Sequence, residues 1–368
     1  MRDVKLLRVV AWAPIFALAV MSAAAITGCS GRSETTTSTG PSAGSSTGVK
    51  VTKVAVITPE KANDFGWNQQ GVEGAKAAAV SVGAQCIVQD GAGYGDITPI
   101  LNQLAEQGPQ LIYAWASGYN TVAPAVARQT GIPTVIIGAG GDAANVPGLV
   151  NDLETDAQNG AYLTGILAAR MTRTATVAIV VSAEDENWTK MSGGFIGGAR
   201  SVTPGIKILY VQIGQAGYAD AAAGKRVTAS AIAGGADVVF GMGDGSSFGM
   251  MQAVETATPP SGAGKVWFID VIGDKSSLDK KGIYLSSVVW DFAALDKRAI
   301  KDVESGRFGS ATYWLGLDNG IDLLQTRFIP AAVWSAIQTA KQGILDGSIS
   351  VPLTKTGKEV KAYLHSGQ

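Results

Sequence analysis

From Val54 onward the chain alternates short runs of β-branched and aromatic residues with Ala/Gly-rich stretches whose apolar residues recur at helical spacing. The runs VAVIT, CIVQD, LIYAW, TVIIG, VAIVV, ILYVQI, VVFGMG, VWFIDVIG and LSSVVW read as strands. DITPILNQLAEQ and DAQNGAYLTGILAARM are typical of the helical stretches between them. Strands that are apolar on both faces must be covered on both faces. The alternation therefore predicts an α/β fold of parallel sheets with helices on either side.

The pattern is written twice. VAVIT, GVEGAK at 71–76 and CIVQ are paralleled by VAIVV, GFIGGAR at 194–200 and ILYVQ. Further along, QLIYAWASGYNTVAPAVARQTGIPTVIIG is paralleled by DVVFGMGDGSSFGMMQAVETA followed by KVWFIDVIG. Two such halves predict two doubly wound lobes joined by a hinge, not one long sheet. The expected division is 50–152 plus 266–290 for the N-terminal lobe and 155–264 plus 293–317 for the C-terminal lobe. Residues 318–368 form a terminal segment packed on the lobes. Hinge crossings are expected near 151–155, 264–273 and 290–295.

In doubly wound sheets a ligand sits beyond the C-terminal ends of the strands. That edge collects NDFGWNQ, AWASGYN, IGAGGD, SAEDENW, QAGYAD, MGDGSS and DVIGD, and with them Trp67, Trp115, Tyr119, Trp188 and Tyr218. Aromatic residues on so many strand-end loops suggest a site that stacks on flat or apolar surfaces. Two readings of the first loop stay open: Trp67 faces that site, or it plugs the seam between helix and sheet. Asp64 reads as the cap of the helix that follows.

The N-terminus carries Arg2, Lys5 and Arg8, then an apolar stretch from Val9 to Ile26, then Thr27-Gly28-Cys29. A charged start, an apolar middle and small residues before a cleavage point describe a secretory signal over 1–28. A spanning anchor is the alternative on length alone. Thr27-Gly28-Cys29 resembles the lipobox of bacterial lipoproteins, which implies cleavage before Cys29, lipidation of that residue, and anchoring to the extracytoplasmic face of the cell membrane. Residues 29–49 read as a tether, since Ser, Thr or Gly fill 15 of the 19 positions from 30 to 48. As a flexible coil this tether reaches roughly 24 Å.

Several function classes are set aside. Lys plus Arg total 29 against 30 for Asp plus Glu, so no net field attracts nucleic acid. The sole histidine, His365, lies close to the C-terminus, and no His pair or Cys cluster offers a metal site. GSSFG at 245–249 fits a nucleophile elbow, so an envelope hydrolase using Ser247 is the rival from another class. An elbow needs a nearby base, and His365 is poorly placed to supply one. GDGSSFG has the wrong glycine spacing for a dinucleotide fingerprint, no Walker lysine motif occurs, and no cofactor is expected. The acidic runs DLETD and AEDENW read as solvated caps.

Taken together, NDFGWNQQGVEGAK, ETDAQNGAYLTGILAARMT, GQAGYADAAAGKRVT, GADVVFGMGDGSSFGMMQAV and VWFIDVIGDK resemble the basic membrane protein (BMP) family of substrate-binding lipoproteins over most of residues 50–350. The resemblance implies a periplasmic-binding-protein type I-like, Venus-flytrap architecture and capture of a nucleoside-like small molecule for an ABC permease and its ATPase. A monomer is expected, held to the membrane by its lipid. Carried over by position, Trp67 and Tyr218 match aromatics that sandwich a purine ring, and Asn68 matches a polar contact beside the first of them. Gly243 matches a backbone contact in the Gly-rich turn. Asp270 matches an acid that bonds ribose hydroxyls.

Thr58, Gly138 and Trp290 stand where nucleoside receptors carry an acid, an acid and a lysine. Asp142 follows four residues after Gly138. Asp244 and Asn187 are possible replacement contacts, and Tyr119, Trp188, Asp142 and Trp290 complete the candidate site. These departures leave a purine nucleoside, another flat molecule or a sugar as the ligand. A sensor without transport is a further reading.

Overall fold

A computed structural model describes residues 48–215 and 217–366, and these belong to one compact unit. The signal segment, Cys29 and most of the tether lie outside the described residues.

The first half runs β1 (Lys53–Ile57), α1 (Trp67–Ser81), β2 (Gln85–Gln89), α2 (Thr98–Glu106), β3 (Leu111–Ala114), α3 (Ala123–Thr130), β4 (Thr134–Ile137) and β5 (Val150–Thr155). Next come α4 (Ala157–Met171), β6 (Thr176–Val181), α5 (Glu186–Val202), β7 (Lys207–Gln212), α6 (Ala221–Ala233), β8 (Val238–Met242), α7 (Ser246–Thr256), β9 (Trp267–Ile272) and β10 (Tyr284–Trp290). The chain ends with α8 (Ala293–Glu304), β11 (Tyr313–Leu315), β12 (Ile321–Leu323), α9 (Ala331–Leu345) and α10 (Gly357–His365).

Two six-stranded sheets result, ordered β11-β5-β4-β3-β1-β2 and β12-β10-β9-β8-β6-β7. Every pairing is parallel except β12 on β10. The two orders are the same path followed twice, so the duplicated α/β fold expected from the sequence is present. Central strands are buried along their length: Val54 to Ile57 and Val177 to Val181 are all 0% exposed. That is why their sequences run apolar without alternation.

The lobe assignment of two segments is reversed relative to expectation. Residues 266–290 belong to the second sheet, because β9 pairs with β8 (Val238↔Trp267) and β10 with β9. Residues 293–315 belong to the first: α8 packs on α1, and β11 pairs with β5. The crossings between sheets therefore lie at 155–157, 290–293 and 315–321, and 264–273 is not one of them but leads into β9. Backbone bonds knit the three together, with Asp156 N donating to Leu315 O and Asp291 N to Gly320 O, both at 2.8 Å. The terminal segment completes the second lobe alone, with β12 on its edge, α9 against α4 and α10 against α5.

Strand β5 was not expected, since VNDLET carries four polar residues that suggested a solvated cap. Its Asp152 is 0% exposed and Glu154 is 6% exposed. The burial is tolerated because the turn after β4 supplies donors. Ala139 N lies 3.1 Å from Asp152 Oδ1, Gly141 N 2.7 Å from Asp152 Oδ2, and Gly140 N 3.0 Å from Glu154 Oε1.

Candidate functional site

Loops from the C-terminal strand ends of both sheets converge on one cavity of about 230 Å³. The first lobe contributes Trp67 at the start of α1, Tyr94 after β2, Ser117 after β3, Gly138 after β4 and Glu154 near the end of β5. The second contributes Asp185, Asn187, Trp188 and Lys190 from the start of α5, Tyr218 after β7, and Asp244 after β8.

Trp67 settles the double reading of its loop by doing both things. Its indole stacks on Trp115 (5.2 Å, 27°) and meets Phe292 and Trp290 edge-on, while remaining half-buried at the cavity wall. The two indoles exchange bonds: Trp67 Nε1 donates to Trp115 O at 3.0 Å, and Trp115 Nε1 to Trp67 O at 3.1 Å. Trp115 fits under α1 only because position 71 is glycine. A Cβ there would lie 2.1 Å from the Trp115 ring nitrogen. Asp64 caps α1, its carboxylate accepting from Gly66 N, Asn68 N and Gln69 N.

The second-lobe wall is polar and acidic. Asp185 caps α5 through Oδ1, which accepts from Asn187 N at 2.9 Å, and its Oδ2 accepts from the Tyr218 hydroxyl at 3.0 Å. Asp244 is 4% exposed. Its Oδ1 accepts weakly from Trp67 N across the cleft (3.3 Å). Burial holds the Asp244 carboxyl well above the usual carboxylate range, and the charges of Asp64 and Glu60 push the same way. Asp185 and Glu60 are also raised, chiefly by burial, although hydrogen bonds from Tyr218 and Tyr94 oppose the rise. Among the described residues the one cation that lines the cavity is Lys190, held by Glu154 (3.4 Å) and Glu186 (2.9 Å).

The lobes are in direct contact. Tyr94 and Tyr218 stack across the cleft at 5.9 Å and 20°, Phe65 meets Phe248 edge-on, and Lys275 Nζ donates to Phe65 O at 3.1 Å. Phe65 (φ 49°) and Ile272 (φ 69°) hold left-handed backbone beside this seam, a costly conformation for residues with large side chains.

Of the expected site residues, Trp67, Tyr218, Asp244 and Trp188 line the cavity, as does Asn187. Trp188 is anchored by Nε1 donating to Ser182 Oγ at 3.0 Å. The others do not line it, and in most cases their polar groups are already in use. Asn68 is fully buried, with Nδ2 donating to Asp64 Oδ2 (2.7 Å) and Oδ1 accepting from Glu60 N (3.2 Å). Asp270 is enclosed in an ion pair with Lys275 (2.7 Å), both side chains 0% exposed. Tyr119 lies in the first lobe's core with its hydroxyl on Gly93 O, and Asp142 accepts from Thr312 N and Oγ1. Trp290 packs beneath Trp67, and Gly243 faces Ser246 Oγ, which an added Cβ would approach to 2.2 Å. Ser247 is buried and donates to Asp244 O, while His365 sits exposed on α10 against its own helix. Among the described residues, the hydrogen bond of Ser247 Oγ goes to a backbone carbonyl and not to a side-chain base.

Tyr94, Asp185, Glu154 and Lys190 were missed. Tyr94 follows a strand just as the chosen loops do, so the same rule applied to CIVQD-GAGYGD would have found it.

Two doubly wound lobes with a cavity walled by strand-end loops from both define the periplasmic-binding-protein type I-like fold class. Solved structures share this fold. A solute-binding protein of an ABC transporter system from Aeropyrum pernix K1 superposes with a TM-score of 0.70 at 20% identity, covering 86% of this chain and 98% of that one. One from Conexibacter woesei DSM 14684 gives 0.67 at 19%, covering 82% and 98%. The chain belongs to the Bmp family, described as ABC transporter substrate-binding protein PnrA-like, whose profile matches residues 51–354. Among its relatives is the ABC transporter nucleoside-binding protein BmpA of Lactococcus lactis subsp. cremoris, 28% identical over 92% of this chain and 97% of the relative. Another is basic membrane protein A1 of Borrelia garinii subsp. bavariensis, 24% identical over 84% and 91%. The family comprises binding proteins and not enzymes, which removes the hydrolase reading of Ser247.

Proposed function

We propose that this protein is the lipid-anchored, extracytoplasmic receptor of an ABC importer, and that it captures a purine nucleoside or a similarly flat small molecule. The observation that carries the ligand class is the presence of aromatic rings from both lobes, Trp67 and Tyr94 against Trp188 and Tyr218, on one cavity. A flat heteroaromatic offers two faces to such rings, and each stacked contact adds about 0.5–1.5 kcal/mol beyond area burial. The nucleoside-binding relative from L. lactis supports the same class.

Capture proceeds by lobe closure. A guest docks on one lobe, and only the closed form adds the other lobe's rings, so binding shifts the population toward it. Tyr94 and Tyr218 are too close to admit a ring between them, since a guest at about 3.5 Å from each face needs roughly 7 Å. The guest therefore parts them or lies beside them. The permease reads the closed shape, and the protein acts as a monomer. Lipid on Cys29 and the Ser/Thr/Gly tether keep the receptor near the importer. Among the described residues no helix is long and apolar enough to cross a membrane.

Isothermal titration of the purified protein against adenosine, guanosine, inosine, cytidine and arabinose tests the ligand. Micromolar or tighter binding of a nucleoside supports the reading, and binding of the sugar alone refutes it. Loss of membrane association in Cys29→Ala tests the anchor.

A further inference from the structure

The cleft offers a ligand several carboxyl acceptors and, among the described residues, no unpaired cation, its free donors being neutral groups such as Ser117 Oγ and Asn187 Nδ2. Asp244 lines the cavity, is 4% exposed, and its Oδ2 has no hydrogen-bond partner among the described residues. Asp185 reaches the same space with Oδ2, which accepts from the Tyr218 hydroxyl.

Several features around the cleft that could hold an anion are engaged by the chain itself, although Ser117 Oγ and Asn187 Nδ2 line it without a partner among the described residues. Asn68 N and Gln69 N at the start of α1 are taken by Asp64, Trp67 N by Asp244, and Asn187 N of α5 by Asp185. At the start of α7, Ser246 N and Ser247 N bond the carbonyls of Tyr218 and Asp244. The glycine turn after β4 donates to Asp152 and Glu154. Lys190 is matched by two carboxylates and Lys275 by Asp270. A phosphate or carboxylate entering here would meet a lysine already paired and a group of carboxyls with no free cation, whereas an N–H or O–H donor would find Asp244 Oδ2 vacant and Asp185 Oδ2 available by displacing a phenol.

We propose that this cleft selects a neutral or cationic ligand rich in hydrogen-bond donors and rejects its anionic derivatives, with Asp185 and Asp244 as the acceptors that read it. The inference rests on the reading of this cavity as the ligand site, and it adds Asp185 as a specificity-determining residue. For a nucleoside, the proposal admits the free form and excludes the 5′-monophosphate.

The test is a binding panel on the purified protein: adenosine, guanosine, inosine, arabinose and putrescine as neutral or cationic donors, and AMP, GMP and inorganic phosphate as anions. Binding by a neutral or cationic compound is expected, with any monophosphate weaker by about a hundredfold or more. Asp185→Asn keeps a good helix cap but loses the charge, and should weaken that binding by about tenfold or more.

The outcomes separate the two claims. Nucleoside binding with an equally tight monophosphate, or with Asp185→Asn unchanged, overturns this inference and leaves the nucleoside reading standing. Binding of only sugar or polyamine, weakened in Asp185→Asn, overturns the nucleoside reading and supports this inference. Binding of anions alone overturns both. Silence from the whole panel overturns the inference as well.

Discussion

Asp296 gives the sharpest test of the first lobe's energetics. It lies in the first turn of α8, is 1% exposed, and neither carboxylate oxygen has a hydrogen-bond partner. The side chain is pressed onto Gly74 of α1, where an added Cβ would lie 2.6 Å from Oδ2. Burial holds this carboxyl well above its usual range, and the charge of Asp291 adds to the shift. An unfolded aspartate titrates near 3.9. Between that value and the raised folded one, the native state binds more protons than the unfolded state, so stability falls as pH rises through the interval. If the native carboxyl keeps its proton at pH 7, the cost reaches a ceiling of about 4 kcal/mol, at about 1.4 kcal/mol per pH unit. Asp296→Asn has nearly the same shape and leaves a polar head equally unpaired, so that cost cancels and only the ionisation difference remains. The variant should therefore be more stable by about 2–4 kcal/mol at pH 7, with the gain shrinking towards zero by pH 4. Urea unfolding of both proteins at pH 4, 5.5, 7 and 8 measures it directly. A gap independent of pH, or a variant less stable at pH 7, refutes the argument.

Three further outcomes follow from packing and charge. Lys275→Met strands Asp270 inside the second lobe and should cost about 3–5 kcal/mol, while the double change with Asp270→Leu recovers most of it; a single variant as stable as the parent in urea would sink this. Gly198→Ala places a methyl 1.9 Å from Tyr162 O where α5 meets α4, and thermal unfolding should show a loss of about 1–3 kcal/mol. Trp67→Ala removes a ring packed on Trp115, Trp290 and Phe292, so it should lose about 3 kcal/mol of stability together with ligand binding. Trp67→Phe should retain more of both, and equal binding by Trp67→Ala and the parent would refute the stacking role.

Much of the architecture was legible because burial on both faces leaves an unmistakable apolar run. The nine runs from VAVIT to LSSVVW contain nine of the twelve strands in the structure. The exceptions are instructive. Strand β5 is polar by composition and is kept dry by donors from a turn that precedes it in the chain, a relation no local pattern reveals. Strands β11 and β12 have three residues each and exist only as edges. The reversed lobe assignment was avoidable, since the internal repeat already matches TVIIG with VWFIDVIG. Carried one strand further, it pairs β5 with β10 and puts both later strands in the second half.

The site was legible to a different depth, and the reason lies in atoms, not positions. Motif resemblance located the loops that wall the cavity, and Trp67, Trp188, Tyr218 and Asp244 line it. It failed where a side chain of the right type had found an internal partner. Asn68 is consumed by Asp64 and a backbone N–H, and Asp270 by a lysine five residues later in its own lobe. Lys275 does more than neutralise that acid, because its ammonium also grips Phe65 O in the other lobe. In this chain Asp270 is thus tied into a contact that joins the two lobes. The converse holds for Asp185. Its sequence context reads as an ordinary helix cap, and one oxygen does cap α5, yet the second oxygen meets Tyr218 at the cavity wall. A carboxylate has two acceptors, and assigning one of them says nothing about where the other points.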